Sequence, residues 1–501
     1  MPRPFLLVCD GAPPLAALER LFADVGTEPW RHDRLVRRLY DSADRRLRDA
    51  GLYLCRDVGD GTSELRLVDR DGRLRVGPLA AAAPGGKVDV LPTAGLDAPL
   101  AARLGALLAP RVLLAVRSWA VERSRRRCLN EDAKVIGELV LERHLYADAA
   151  VVTVTAMPLR GYRREFGHLL ASARDGTGLA PAPGSAAALL DARLHGCWDR
   201  PPGPPRITRK TPAFAAVGAR LGYFRAVMQA NERGIRDDLD SEFLHDFRVA
   251  LRRARALLQS FGDVLPDATA LREGCAWLSR ETSLLRDLDV WLAALDDGAT
   301  SASPALQALL LARRRREHAR LARLLGGRRY ARFQAEWQAW LERLVTAPAP
   351  AAPLRALVDT ALRRRHRRLC RRRRGHGDAL PWEVLHEIRK DVKKLRYLLD
   401  AFASLYPRKR VRPLIESLKA VQALAGEVCD RWAHASLARA WRDAATDAAE
   451  RALFDAALVG QDMPPTVDLA ARAQRPLTRA LDALCDADGL DRLRRLCDKE
   501  R

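Results

Sequence analysis

The sequence predicts an α+β domain followed by a larger all-helical domain made of two related halves. Three observations carry that expectation. Strand-like runs are confined to the first two-fifths of the chain, a proline-rich stretch then interrupts it, and one helical segment recurs at a fixed spacing in the remainder.

Within residues 1–198 the runs Gly51–Arg56, Glu64–Val68, Leu139–Arg143 and Val151–Met157 alternate or are β-branched. Turns such as Gly59-Asp60-Gly61 and Asp71-Gly72 punctuate them. A sheet-rich α+β domain is expected there. Residues 199–206 hold Pro201, Pro202, Pro204 and Pro205, which neither a helix interior nor a central strand accommodates, so this stretch is expected to be a linker. From residue 207 to 501 the strand signals vanish, and Ala/Leu/Arg/Glu segments of helical period take over. A second proline-rich break, Ala347–Pro353, divides this region into halves of about 207–345 and 354–501.

The charge balance narrows the function classes. Eighty-six Lys and Arg against sixty-three Asp and Glu leave a formal net charge of +23, most of it from arginine. So basic a chain seeks a polyanion, and the planar guanidinium suits phosphate better than an ammonium does. This favours nucleic acid, polyphosphate or anionic lipid over acidic proteins. The nine cysteines are scattered and include no Cys-x-x-Cys pair, as expected of buried thiols in a reducing compartment. The apolar run Phe5–Cys9 is too short for a signal peptide, and stretches such as Ala106–Val116 are broken by proline or arginine. No membrane association and a cytoplasmic location are expected.

The helical region carries the functional argument. The segment from Leu244 to Phe261 aligns with that from Leu385 to Phe402 at a constant offset of 141, and the register continues through Pro266 and Pro407, Asp289 and Asp430, and Trp291 and Trp432. Chance does not hold one offset that long, so the halves are read as duplicates. His245, Arg248, Arg252 and Arg255 step by three, four and three, which puts them on one stripe of a helix; His386, Arg389, Lys393 and Arg396 do the same. Phe247, Leu251, Ala254, Leu258 and Phe261 form a separate apolar stripe, matched by Ile388, Val392, Leu395, Leu399 and Phe402. Each helix therefore buries one side and presents a basic ladder on another. Like charges so close repel unless an anion covers them, and a linear polyphosphate, with about one charge per phosphate, can follow such a row.

Further basic runs adjoin the ladders. Arg313, Arg316 and Arg320 lie in the first half, and Arg363–Arg374 packs nine arginines into twelve residues just before the second ladder. Arg286, Asp287 and Asp289, with Glu427 and Asp430, are expected to form internal ion pairs or helix-end contacts that orient the ladder arginines. No metal site is expected from them.

The stretches His245–Arg255, Arg286–Val290 and His386–Tyr397 resemble the signatures of the CHAD domain, the conserved histidine α-helical domain, over roughly residues 206 to 501. The resemblance implies two four-helix bundles related by a pseudo-twofold axis, with a basic groove that binds inorganic polyphosphate and targets proteins to polyphosphate granules. On that reading His245, Arg248, Arg252, Arg253, Arg255, His386, Arg389, Lys390, Lys393, Lys394 and Arg396 are the expected contacts. Arg313, Arg316, Arg320, Arg364 and Arg368 are expected to widen the groove. No cofactor is expected, and nucleic acid is the second choice of partner.

The segment Leu39–Gly51 resembles the Tyr-Asp-Thr segment of the CYTH family, the triphosphate tunnel fold, over about residues 1–195. That resemblance implies an antiparallel sheet or barrel and, as an alternative function, a triphosphatase using Mg²⁺ or Mn²⁺. The family's Glu-x-Glu-x-Lys strand has no counterpart in Pro4–Asp10, and Val151–Met157 lacks the late acidic strand's carboxylates. A degenerate, non-catalytic domain is therefore expected, with Arg56, Arg66, Arg123, Arg125 and Arg127 left to cradle an anion.

Overall fold

In the computed structural model, residues 4–9, 13–23, 28–59, 62–80, 90–91, 96, 98–130, 132–146, 149–174, 179–182, 184–193, 198, 203–296, 303–348, 350, 352–376, 379–458, 466–469, 471 and 474–497 are described. Asp60 and Gly61 of the expected turn, Asp199–Pro202 of the expected linker, and Cys197 lie outside them, as do the side chains of Glu427 and Asp430. The chain divides into two units, Met1–Arg200 and Pro201–Arg501.

The first unit is built on one antiparallel sheet. Its strands are β1 (Phe5–Cys9), β2 (Arg31–Asp41), β3 (Leu52–Gly59), β4 (Thr62–Asp69), β5 (Leu74–Ala80), β6 (Val90–Leu91), β7 (Leu113–Leu129), β8 (Val135–Tyr146), β9 (Ala149–Pro158) and β10 (Ala180–Pro181). They run in the order β10-β1-β9-β8-β7-β2-β3-β4-β5, with β6 paired to β7. The runs read from the sequence fall on β3, β4, β8 and β9. The longest strand, β7, gave no such signal because five arginines and a glutamate interrupt its apolar positions.

Helices α1 (Leu15–Leu21), α2 (Arg46–Asp49), α3 (Ala98–Leu108), α4 (Arg163–Arg174) and α5 (Ala186–Arg193) complete the unit. Strand alternation explains where they pack. Leu7, Leu139, Leu141, Val154 and Cys128 share a core with Leu18 of α1 and Phe166 of α4. Tyr40, Leu54 and Leu67 share another with Leu47 of α2 and Leu100 and Leu104 of α3. The opposite face of the same strands is rich in charge. A Cβ at Gly72, which has φ of +80°, would come within 2.9 Å of the Pro4 side chain. The β4–β5 turn thus reaches the start of β1 from the far end of the strand order, and the sheet curls around its charged face. This curled antiparallel sheet is compatible with the triphosphate tunnel fold.

The second unit is helical. Its first half comprises α6 (Ala213–Arg236), α7 (Ser241–Ser260), α8 (Thr269–Glu281), α9 (Ser283–Asp296), α10 (Pro304–Leu325) and α11 (Arg328–Thr346). Its second comprises α12 (Leu354–Arg374), α13 (Trp382–Phe402), α14 (Arg408–Ala444), α15 (Ala448–Leu458), α16 (Arg475–Cys485) and α17 (Ala487–Cys497), with a short ladder between β11 (Ala379–Pro381) and β12 (Thr466–Asp468). The repeat is visible in the helix ends, since α6 matches α12 and α7 matches α13 at the offset read from the sequence. It is broken once, because α8 and α9 correspond to the single helix α14. At the break, Thr282 donates its hydroxyl to the Leu278 carbonyl at 2.9 Å, a side-chain contact that competes with the helical ladder; Ala423 holds the matching place in α14.

Both apolar stripes are buried as their spacing requires: Phe247, Leu251, Ala254, Leu258 and Phe261 in α7, and Ile388, Val392, Leu395, Leu399 and Phe402 in α13, are each no more than 2% exposed. The described cysteines are all free thiols. Among the described residues no helix is long and apolar enough to cross a membrane.

Candidate functional site

Helix α7 starts sharply because the Asp240 carboxylate caps it, accepting the backbone N–H groups of Glu242 and Phe243 at 2.9 and 3.3 Å. That fixes His245 in the first turns and sets the phase of the arginines that follow. Helix α13 starts after Pro381, itself held in the β11–β12 ladder. The two helices meet where Phe261 and Phe402 pack edge to face at 5.7 Å. Tyr397 joins the ladders, because Arg253 from α7 and Arg396 from α13 lie 5.7 and 5.1 Å from the centre of its ring.

Ten of the eleven expected contact residues are half-buried, and Lys390 is exposed. Their neighbours differ between halves. Arg248 donates to the Thr282 hydroxyl at 2.7 Å, the Ser279 carbonyl at 3.2 Å and the Ser283 hydroxyl at 3.3 Å; Arg255 donates to the Ser279 hydroxyl at 2.8 Å. These are neutral acceptors, so they orient the guanidinium groups without cancelling their charge. Sequence reasoning missed them. A signal was available, since Ser279, Thr282 and Ser283 match Ala420, Ala423 and Leu424 in the second half, where no hydroxyl can serve Arg389. Arg389 instead reaches beside Gly426, at which a Cβ would lie 3.5 Å from its Nη2.

Among the described residues, no carboxylate stands within ion-pair distance of Arg248, Arg252, Arg253 or Arg255, and Arg252 makes no hydrogen bond. The second ladder is less purely basic. Arg396 lies 3.8 Å from Asp400 and Lys390 2.8 Å from Glu387. Asp391, 1% exposed, draws Arg372 into an ion pair and lies 3.7 Å from Arg368.

The electrostatics of crowding follow. Burial lowers the pKa of Arg248 to about 10, with Arg252, Arg286 and Arg255 adding to the shift and Asp287 opposing it. Burial also lowers His386, helped by Lys390, Arg389 and Lys393 against Glu387. Lys394 is lowered by burial and by Arg365 and Arg368. Each shift records a site that would hold its protons more tightly with a negative charge nearby.

The outlying arginines are mostly engaged. Arg313 pairs with Glu450, Arg320 with Glu281 and Glu317, and Arg364 with Asp263, while Arg316 is exposed. The arginine run is helical to Arg374. It is divided between exposed positions such as Arg367, the buried Arg365, and Arg373, which meets Asp482 at 3.0 Å. Arg286 approaches Glu242 at 3.9 Å, and Asp289 accepts from Arg314 at 2.8 Å.

No curated protein matches the chain. Among solved structures, the CHAD domain from the plant Ricinus communis is 24% identical, covering 60% of this chain and 96% of its own, with a TM-score of 0.44. PptA from Streptomyces chartreusis is 19% identical, covering 54% of this chain and 96% of its own, with a TM-score of 0.37. The family model of the CHAD domain matches residues 219–439, which contain both ladders, and this part of the chain is a CHAD domain.

Proposed function

We propose that the helical unit binds inorganic polyphosphate along α7 and α13, acts as a binding protein rather than a catalyst, and so attaches the chain to polyphosphate granules. The observation that carries this reading is the first ladder helix: four arginines with no carboxylate within ion-pair distance among the described residues, Arg248 and Arg255 oriented by neutral hydroxyl and carbonyl groups and Arg253 facing an aromatic ring. Two unit charges about 6 Å apart repel by roughly 3 kcal/mol at an effective dielectric of about 20. A flexible string of phosphates relieves that repulsion along the whole row, and guanidinium groups already held in place lose little freedom on binding. Retention on immobilised long-chain polyphosphate, compared between the parent chain and one with ladder charges reversed, tests the reading. Unchanged retention would remove it.

Nucleic acid fits less well. Sequence-tolerant binding of single strands uses accessible aromatic platforms beside the basic groups. Tyr397, the aromatic residue that ladder-helix arginines face, is 5% exposed and already meets two guanidinium groups.

A pH dependence follows from His386. Its folded-state pKa lies below the ordinary 6.5, so it is neutral near pH 7, and a bound polyanion would raise it again. Binding should then take up protons. Affinity should strengthen as pH falls from about 8 towards 5.5, by at most about tenfold per pH unit for each proton taken up. Calorimetry in buffers of different ionisation enthalpy reads this directly, and His386→Gln should flatten the profile. A flat profile in the parent chain would show that His386 does not face the ligand.

A further inference from the structure

The charged face of the curled sheet encloses a cavity of about 1050 Å³. Arg123, Arg125 and Arg127 alternate along β7 to line its middle, and Arg66 of β4 joins them. The strands expected to carry metal-binding carboxylates, β1 and β9, have none. The structure supplies carboxylates from other strands: Glu64 on β4 and Glu138 and Glu142 on β8 line the cavity, and Asp57 on β3 pairs with the lining Arg37, Arg66 and Arg123.

Among the described residues no three His, Cys, Asp or Glu side chains are grouped to hold a metal ion, and the buried pair Asp57 and Glu142 does not fit a divalent cation. The buried Arg37 donates Nε to Asp57 Oδ1 at 2.7 Å and Nη2 to Oδ2 at 2.8 Å, while its Nη1 and Nη2 donate to the two oxygens of Glu142 at 2.8 and 2.7 Å. Asp57 Oδ2 also accepts from Arg66 at 2.5 Å and from Arg123 at 3.1 Å. All four oxygens are engaged by fixed cations, and Mg²⁺ or Mn²⁺ would have to displace a guanidinium to reach them. Arg56, by contrast, is fully buried and donates to the Ser63 hydroxyl at 2.9 Å, so it is spent on structure.

Apart from Glu64, Glu138, Arg160, Thr155 and Ser185, the rest of the lining is apolar. Five large hydrophobic side chains are exposed among the described residues, and two of them, Met157 at 37% and Leu159 at 49%, line this cavity. Leu6 of β1 and Leu74 of β5 also line it. A bare phosphate chain would satisfy the arginines and leave those side chains in water, whereas a ligand with an apolar body covers them. Arg127 and Arg160, both exposed lining residues, form no ion pair among the described residues and are available to an anion.

We propose that this cavity binds an organic phosphate, an anion carrying an apolar body, without a divalent metal, the Arg37 guanidinium standing where the cation would have to sit. The site is independent of the helical ladders. It is tested by titrating the full chain, with Arg252→Glu and Lys393→Glu in place to silence the ladders, with adenosine triphosphate, its trinitrophenyl derivative and inorganic tripolyphosphate. Each titration is run in EDTA and again with Mg²⁺. The two nucleotides should bind equally in EDTA and Mg²⁺, at least about tenfold more tightly than tripolyphosphate, and Arg127→Glu or Met157→Asp should each weaken them by about tenfold. A requirement for metal, tripolyphosphate binding as tightly as the nucleotides, no binding by either nucleotide, or indifference to both substitutions would each overturn the proposal. Circular dichroism and thermal melts of every variant confirm that each outcome is read on folded protein.

Discussion

Reversing one charge on each ladder, Arg252→Glu with Lys393→Glu, should abolish retention on long-chain polyphosphate. A charge-assisted contact contributes about 1.5–3 kcal/mol. The double reversal removes two such contacts and sets two repulsions in their place, so affinity should fall by at least about a thousandfold, equivalent to about 4 kcal/mol. Net charge is the obvious confounder. A control chain with Arg332→Glu and Arg495→Glu carries the same total charge, but these side chains are 81% and 75% exposed and stand on α11 and α17 rather than on the ladder helices. It should lose far less, because charges beyond about a Debye length of 8 Å are largely screened. Equal losses in the two chains would mean that overall charge, rather than the ladders, holds the polymer.

The second large effect concerns the sheet. Arg37→Met should destabilise the first unit by about 3–5 kcal/mol, the usual consequence of leaving buried charge without its partner. Asp57 would keep Arg66 and Arg123, while Glu142, which pairs with Arg37 and lies 3.7 Å from His144, would lose most of its compensation. The pH dependence separates this mechanism from simple loss of packing. Despite burial, Arg37 holds the Glu142 pKa down to about 2 and lowers that of Asp57. Their stabilisation is therefore present above the ordinary carboxylate range and is lost as pH falls through the folded values. In the variant both carboxyls protonate more readily, so the gap in melting temperature should be widest near neutral pH and close in acid. A gap that stays constant with pH would assign the loss to packing.

His144 shapes the same acid flank from the other side. It is fully buried, accepts the Trp119 indole N–H at 3.1 Å and faces the Thr153 hydroxyl at 2.8 Å, and burial lowers its pKa to about 4. A depressed histidine contributes nothing at high pH. As pH falls below 6.5 the unfolded chain takes up a proton that the folded one refuses, so stability declines from that point before the carboxylates begin to titrate.

What could be read from the sequence is what local periodicity encodes. The ladders and their apolar stripes were legible because a helix repeats every 3.6 residues and because the segment occurs twice. Strands β3, β4, β8 and β9 were legible because their apolar positions alternate or are β-branched. Strand β7 was not, since arginine occupies positions on both of its faces and removes the contrast that marks a half-buried strand. The Arg37 cluster was beyond reach for another reason. It joins Arg37, Asp57 and Glu142 through the register of β2 with β3 and of β7 with β8, and no spacing along the chain encodes that meeting. The hydroxyl anchors of Arg248 lie between these cases. The repeat itself exposes them, as the place where one half has Ser279, Thr282 and Ser283 and the other has alanine and leucine.

The central claim is that the paired helices select a flexible inorganic phosphate chain over other polyanions. Competition on the full chain, between long-chain polyphosphate and single-stranded RNA at equal phosphate concentration, measures that selectivity directly. Polyphosphate should displace bound RNA at every salt concentration, with both affinities falling as salt rises because each bound segment releases counterions. RNA displacing polyphosphate would contradict the account.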